Sequence, residues 1–451
     1  MNNIRVLIWD SVPWDYLRGI VKAAGQKFKI ECKDRSEFSF ISRLNKNAGF
    51  SRFLKRHLFI QRINNLLLAI DTSRQYNSQS AFDKIMRKYK PDIIVLYQAT
   101  SENLTIDIPS DVKVISYWDL FFEKLSFIGK TYFEQIPENN YVYIPVLNAD
   151  RIDRHNVLKN DKIRERIYFA PFVSFFDKKQ FIKNSIEKVD LNDHESYICD
   201  LSVISNYKNN EYYYYNFEIN HNTFQGKMLI QFINELVILI KQEIKKREAI
   251  CLDNEWIHKI LVQMFDKLEM EKYIRDKEEF ISVWFNALKF VVIPHEYEHC
   301  VVDWLIEGEY NLVIYGKGWD RIDKYKKYAF GRVNEGSAAL RNVYKYSKIN
   351  VGMNVAMGVH RRNFEVMENN CLCFQAEAQP GFMASDYSHF FEDGRDIVIY
   401  RNKKDLYEKL DFYLSHNEER EQIIRAGKIA ASQCPHAEDL IENVIREVYA
   451  K

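Results

Sequence analysis

No stretch of this 451-residue chain approaches the roughly 18 consecutive apolar residues that a membrane-spanning helix requires. The opening, MNNIRVLIWDSVPW, has an apolar run that Asp10 ends too soon for a secretory signal. A cytoplasmic protein, at most peripheral to a membrane, is expected. Paired cysteines are missing too: Cys32, Cys199, Cys251, Cys300, Cys371, Cys373 and Cys434 are odd in number and include no CxxC spacing. That pattern fits a reducing compartment and gives no disulfide framework. Charge of one sign is lacking as well, since 64 Lys and Arg stand against 63 Asp and Glu. The net charge of +1 therefore gives no whole-chain argument for nucleic acid. Repeats are absent, and the one low-complexity tract is the short EYYYYNFE. With 47% hydrophobic and 28% charged residues, the composition is that of an ordinary globular protein long enough for two or three domains.

What is present is an alternation of strand and helix signals. IRVLIW, DIIVLY, VKVISYW, YVYIPVL and RIYFAP are apolar runs of strand length, the kind buried on both faces of a parallel sheet. Helical patterns fall between them, notably INNLLLAIDTSRQY and SAFDKIMRKYKP. This predicts a doubly wound α/β domain over residues 1–171. After a polar linker at 172–196, a second α/β set is expected over 197–435, opening with YICDLSVIS and resuming with NLVIYGKGWD, KINVGMN, CLCFQAE and DIVIY. A mostly helical insertion at about 224–288 interrupts it, and a last helix, 436–451, follows.

VVIPHEYEHCVVDW places His295, Glu296 and His299 in the H-E-x-x-H spacing of zinc peptidases. Two His four apart share a helix face, and the Glu would polarise a metal-bound water. A zinc hydrolase is therefore an alternative reading. The extended pattern puts a Gly three and a His six positions past the second His, and Val302 and Leu305 stand there. Pro294 instead suggests a helix beginning, with PHEYEH as a solvated first turn over an apolar face of Val301, Val302 and Leu305.

Two later segments suit ligand binding. Gly316 to Asp320, GKGWD, follows a strand, and its glycines permit close backbone approach to phosphate or base. NVAMGVHRRNFEVMENNCLCF brings His360, Arg361 and Arg362 to the end of a strand and starts a helix near Asn363, a place where diphosphate meets a helix terminus and cations. Glu365 in its first turn has the acceptors for a ribose diol. Each feature alone also reads as a tight turn or an electrostatically favoured helix start.

Together, LVIYGKGWD, FGRVNEGSAALRNVYKYSKINVGMNV, GVHRRNFEVMENNCLCFQAE and HFFEDGRDIVIYRNKKDLYEKLDFYLSHNEEREQIIRAGKIA resemble, in order, the C-terminal domain of group 1 glycosyltransferases, in particular the CgeB-like branch. The likeness runs from about Leu312 to Ala430 and is looser in the N-terminal half. It implies a GT-B fold, two Rossmann-like domains facing across a cleft. It also implies transfer of a sugar from a nucleotide donor, a UDP-sugar by default, to a glycan, lipid-linked or protein acceptor in bacterial cell-surface polysaccharide synthesis.

By position, Ser205 and Asn206 would touch phosphate, Gly316, Lys317, Gly318 and Trp319 would shape the nucleotide pocket, and Gly331 and Val333 would border the base. Arg362, with His360 and Asn363, would meet the diphosphate, and Glu365 the ribose. The last helix would pack back across the cleft. One departure is clear: the family's E-x7-E motif needs a Glu at 357, where Met357 stands. A retaining mechanism built on that motif is unsupported, and a non-catalytic nucleotide-sugar-binding protein stays open as a further alternative. No D-x-D motif appears, so neither a metal nor any cofactor beyond the donor is expected. Asp10 and Asp119, each just past a strand, are candidates for the base that deprotonates an acceptor. Residues 38–70 carry Arg43, Lys46, Arg52, Lys55, Arg56 and Arg62 without any acid, which suits an anionic membrane surface as well as a solvated helix.

Overall fold

Every apolar run noted above is a strand in the computed structural model. The first unit, Met1–Asp177 with Pro435–Lys451, is described over residues 4–9, 30–34, 78–97, 106–117, 137–144, 161–169 and 436–451. The second, Lys178–Cys434, is described from 198 onward apart from 218, 251–252, 334–336, 356–359, 379–386 and 388–389. Strands β1 (Ile4–Ile8), β2 (Ile30–Asp34), β3 (Ile93–Tyr97), β4 (Lys113–Tyr117), β5 (Asn140–Ile144) and β6 (Ile167–Phe169) form a sheet in the order β2-β1-β3-β4-β5-β6. All its pairs are parallel. Helix α1 (Gln79–Tyr89), N-capped by Ser78, packs Phe82, Ile85 and Tyr89 against Leu7, Ile94, Leu96 and Val114. A short α2 (Asp161–Arg164) precedes β6.

The second unit has β7 (Cys199–Ile204), β8 (Leu312–Tyr315), β9 (Ser347–Gly352), β10 (Leu372–Ala376) and β11 (Val398–Tyr400), again all parallel, in the order β11-β10-β9-β7-β8. Between β7 and β8 lie α3 (Asn210–Asn216), α4 (Phe224–Arg247), α5 (Asn254–Lys267), α6 (Lys277–Ala287) and α7 (Ile293–Glu307). Helices α8 (Asp323–Lys326), α9 (Ala338–Tyr346), α10 (Arg361–Glu368), α11 (Lys403–Ser415) and α12 (Asn417–Gln433) complete it.

Side chains alternate across a strand, so a sheet covered on both faces needs apolar residues at every position. Leu372, Phe374, Val398 and Tyr400 accordingly join the core beneath α4–α7, while Cys373, Ile397 and Ile399 join Leu340, Phe364 and Ala431 on the other face. Two parallel α/β sheets of Rossmann type are what the sequence led us to expect, and the fold class holds.

The helical stretch runs further than expected. Between α6 and α7 the chain makes a π-helical turn, Leu288–Val292, and α7 continues from it without a break. Pro294 therefore sits inside a helix rather than at its beginning. Proline lacks an N–H and crowds the preceding turn, and the wider π turn accommodates it.

The C-terminal helix, Ala437–Ala450, belongs to the first unit. Lys113 Nζ on β4 donates to the carbonyls of Val448 at 2.8 Å and Tyr449 at 3.1 Å. A cation there satisfies carbonyls that a helix end leaves open and complements its dipole. Lys451 lies over the rings of Tyr141 and Tyr168. Replacing Lys113 with Met is expected to lower stability by about 1 kcal/mol, read by urea denaturation, with far-UV dichroism losing only the helical signal of one frayed turn.

Candidate functional site

In the second sheet the order of strands reverses between β7 and β9. Successive connections leave this pair in opposite directions, so a crevice opens at its carboxyl end, the usual ligand position in open parallel sheets. The segments ending there are Ser205–Asn209 after β7, Gly316–Gly318 after β8, and the approach to α10 after β9. Helix α7 precedes β8 through a short turn and runs back along the sheet, so its first residues arrive at the same edge.

The first two segments are tied together. Lys317 N–H donates to Asn206 Oδ1 at 2.9 Å, Tyr207 N–H to Lys317 O at 2.8 Å, and Trp319 Nε1–H to Ser205 O at 2.6 Å. Gly316 N–H in turn donates to Gly331 O at 2.8 Å. The approach is so close that a Cβ on Gly316 would lie 1.8 Å from Ser205 O. Trp319 is fully buried against Tyr207, Tyr325 and His299, so it props the loop from below rather than lining a surface.

At the third segment His360 caps α10. Its Nδ1 accepts from Arg362 N–H at 3.2 Å, and Asn363 Oδ1 accepts from His360 N–H at 2.8 Å. The Asn363 amide also reaches Gln375 Oε1 at 3.1 Å. Burial first, then Arg362 and Arg361, push the imidazole well below its ordinary range, so it is neutral and its Nδ1 can accept that hydrogen bond. Glu365, 5% exposed, accepts from Tyr344 Oη–H at 3.3 Å. A recess lined by Gly352, Asn354, His360, Arg362 and Gln375 opens beside the cap.

The segment after β7 meets helix α7 at Glu298. Ser205 Oγ–H donates to its Oε2 at 2.6 Å, and Lys208 Nζ lies 3.6 Å from the same oxygen. Burial favours the neutral acid, yet Lys208, His295, Ser205 and Arg362 outweigh it and hold the carboxyl down to about 2. His295 is pushed down to about 3 by burial and by Lys208, and its Nδ1 is buried with no hydrogen-bond partner.

The H-E-x-x-H residues are not a solvated first turn. Glu296 is fully buried and accepts from Tyr213 Oη–H at 2.9 Å, while Lys241 Nζ sits 3.0 Å from its other oxygen. His299 Nδ1 is 3.1 Å from that oxygen as well. An ionised carboxylate can only accept, so Nδ1 carries the hydrogen and Nε2 is left to accept from Lys208 N–H at 3.4 Å. With both ring nitrogens engaged, His299 has no lone pair for a metal. The zinc reading fails on this geometry. Among the described residues no group of three or more metal-binding side chains gathers.

Of the residues singled out from sequence, the structure brings Ser205, Asn206, Gly316, Lys317, Gly318 and Gly331 to one edge, with His360, Arg362, Asn363 and Glu365 at the start of α10. Val333 packs inward near Tyr315 and Val343. Asp10, Asp119 and the 38–70 run lie outside the described residues. Lys208 and Glu298 were not singled out. Glu298 occupies an unspecified position of the H-E-x-x-H window, and Lys208 belongs to no motif, its signal being a Lys four residues past a strand end.

Two outcomes follow from this network. Glu296 and Glu298 both titrate below the ordinary carboxyl range of about 4.3. Their stabilisation is therefore complete at neutral pH and fades as pH falls through that value toward 2. Glu296→Ala leaves Lys241 and His299 facing an empty site and is expected to cost about 3 kcal/mol at pH 7, the deficit against wild type shrinking below pH 4 in urea titrations. Gly316→Ala is expected to cost about 2 kcal/mol and to lower the melting temperature, since backbone must move to admit the methyl group.

Residues 269–442 match the family described as Glycosyl transferase-like. No curated protein matches the chain. Among solved structures, a glycosyltransferase from Rickettsia africae ESF-5 is similar over 100% of this chain and 98% of that one, at 12% identity and a TM-score of 0.40. T4 phage BGT in complex with UDP and Mn2+ aligns over 99% and 100%, at 9% identity and 0.44. Anabaena HepE in complex with UDP and glucose aligns over 100% of both chains, at 9% identity and 0.45. The stretch from Leu312 to Ala430, which resembles a glycosyltransferase domain on its motifs, falls wholly inside the matched segment. The match makes residues 269–442 similar to the glycosyl transferase-like family, and it covers less than half of the chain.

Proposed function

We propose that the chain transfers a sugar from a nucleoside diphosphate sugar to a hydroxyl acceptor, with the donor held at the carboxyl edge of the second sheet. The observation that carries this reading is Lys208 beside the ionised Glu298 at the strand-order reversal, with the charge of Arg362 felt at the same carboxylate, in a stretch that matches that family. Transfer breaks the bond between the sugar's anomeric carbon and the diphosphate oxygen, which keeps the electron pair. The acceptor oxygen bonds to that carbon and gives its proton to a base. Fixed cations beside the departing oxygen favour the charge as it develops. Lys208 and Arg362 supply that charge in this reading, and Glu365 accepts from the ribose hydroxyls. The His360–Asn363 cap fixes the start of α10, so that Arg362 is presented in one direction.

Asp10 and Asp119, after β1 and β4 of the first unit, remain the candidate bases. The donor is a UDP-sugar by default, with no further cofactor and with Lys208 and Arg362 in place of a metal. The acceptor is a glycan, lipid-linked or protein hydroxyl of a bacterial surface polysaccharide pathway. Work at the cytoplasmic face of a membrane would employ the basic 38–70 run, and no helix among the described residues is long and apolar enough to cross one.

Calorimetry with UDP and a panel of nucleotide sugars tests the donor site. Lys208→Ala and Arg362→Ala are each expected to weaken binding by about ten-fold or more, as loss of a charged hydrogen bond implies. Glu365→Ala is expected to do the same for ribonucleotides while leaving pyrophosphate unaffected. Unchanged affinity in all three folded variants excludes this pocket.

A further inference from the structure

We propose that Glu298 makes the site favour an intact nucleoside diphosphate sugar over the freed nucleoside diphosphate, so that it helps expel the product. The inference rests on the donor reading above and extends it to the step after transfer. In the donor each phosphate is esterified once, to ribose or to sugar, and joined to the other by an anhydride oxygen, so each carries one negative charge. Once the sugar has left, the terminal phosphate is substituted on one oxygen only and has a second ionisation near pH 6, so at neutrality the product carries about one charge more.

A carboxylate is an odd neighbour for two cations that are to receive phosphate. Glu298 Oε2 is nevertheless 3.6 Å from Lys208 Nζ and is held by the Ser205 hydroxyl at 2.6 Å. Ser205 and Lys208 from the segment after β7 touch it, and His295 on its own helix and Arg362 on α10, with the phenols of Tyr213 and Tyr400, interact with it through space. His295 stays neutral across the working range, and both phenols are pushed up by burial. The carboxylate is therefore a fixed negative charge in a half-dry site, where Coulomb interactions are stronger than in water. It offsets part of the cations' pull, and the offset is larger for the more highly charged ligand.

The experiment is calorimetry on the full chain with UDP and UDP-glucose at pH 5.5 and 7.5. If another nucleoside diphosphate and its sugar give the larger thermal shift with wild type, that pair is used. Glu298→Gln keeps the shape and the Ser205 hydrogen bond while removing the charge. It is expected to tighten UDP about ten-fold at pH 7.5 and UDP-glucose less than about three-fold. At pH 5.5 the two gains converge. Glu298→Asp, which keeps the charge, is expected to preserve the wild-type ratio within about three-fold. Equal gains for both ligands at both pH values, or no tightening of UDP by a folded Gln variant, overturn the proposal.

Should the Gln variant not fold, wild type alone decides. Its affinity for UDP is expected to change less than about three-fold between the two pH values, and a rise of about ten-fold or more overturns the offset. Failure of wild type to bind any nucleotide or nucleotide sugar overturns the donor reading itself, a result distinct from all of these.

Discussion

The reversal of strand order between β7 and β9 is the constraint on which the site depends. Where neighbouring parallel strands send their connections to opposite sides, no crossover covers the gap, and the backbone groups at the strand ends are left to whatever residues the loops carry. This chain places a Lys on one side and an Arg on the other. It then adds a helix from a third direction, α7, whose first turns contribute one carboxylate to the opening and another to the interior.

The interior carboxylate explains why the edge is rigid. Glu296 joins α7 to α4 through Lys241 and to α3 through Tyr213, and it orients His299 toward the amide of Lys208. An ionised group without solvent persists only when its acceptor positions are filled, and here they are. The same network that keeps Glu296 charged fixes the backbone from which the Lys208 side chain starts.

Much of the fold is legible in the sequence because strands buried on both faces are written as unbroken apolar runs, as in CLCFQAE and DIVIY. β2, with IECKD, escapes for the opposite reason: it is an edge strand, and its charges interrupt the run. The glycines of GKGWD and the Arg362 segment are visible as punctuation after strands. PHEYEH misleads because a local window cannot show that Lys241 and Tyr213, far away in the chain, arrive beside Glu296. Trp319 and Asn363 hold the site's frame rather than facing outward, a distinction that depends on packing and not on spacing.

The π turn at Leu288–Val292 carries a consequence for the helix beyond it. A π turn amounts to one additional residue relative to an α-helix, and each residue advances the azimuth by about 100°. That extra step decides which way α7 is rotated about its axis. With it, Glu296 points toward α4 and Glu298 toward Ser205; without it, the two acids would trade the interior and the opening for orientations that suit neither. The angular phase of a single helix thus rests on the five residues of that turn.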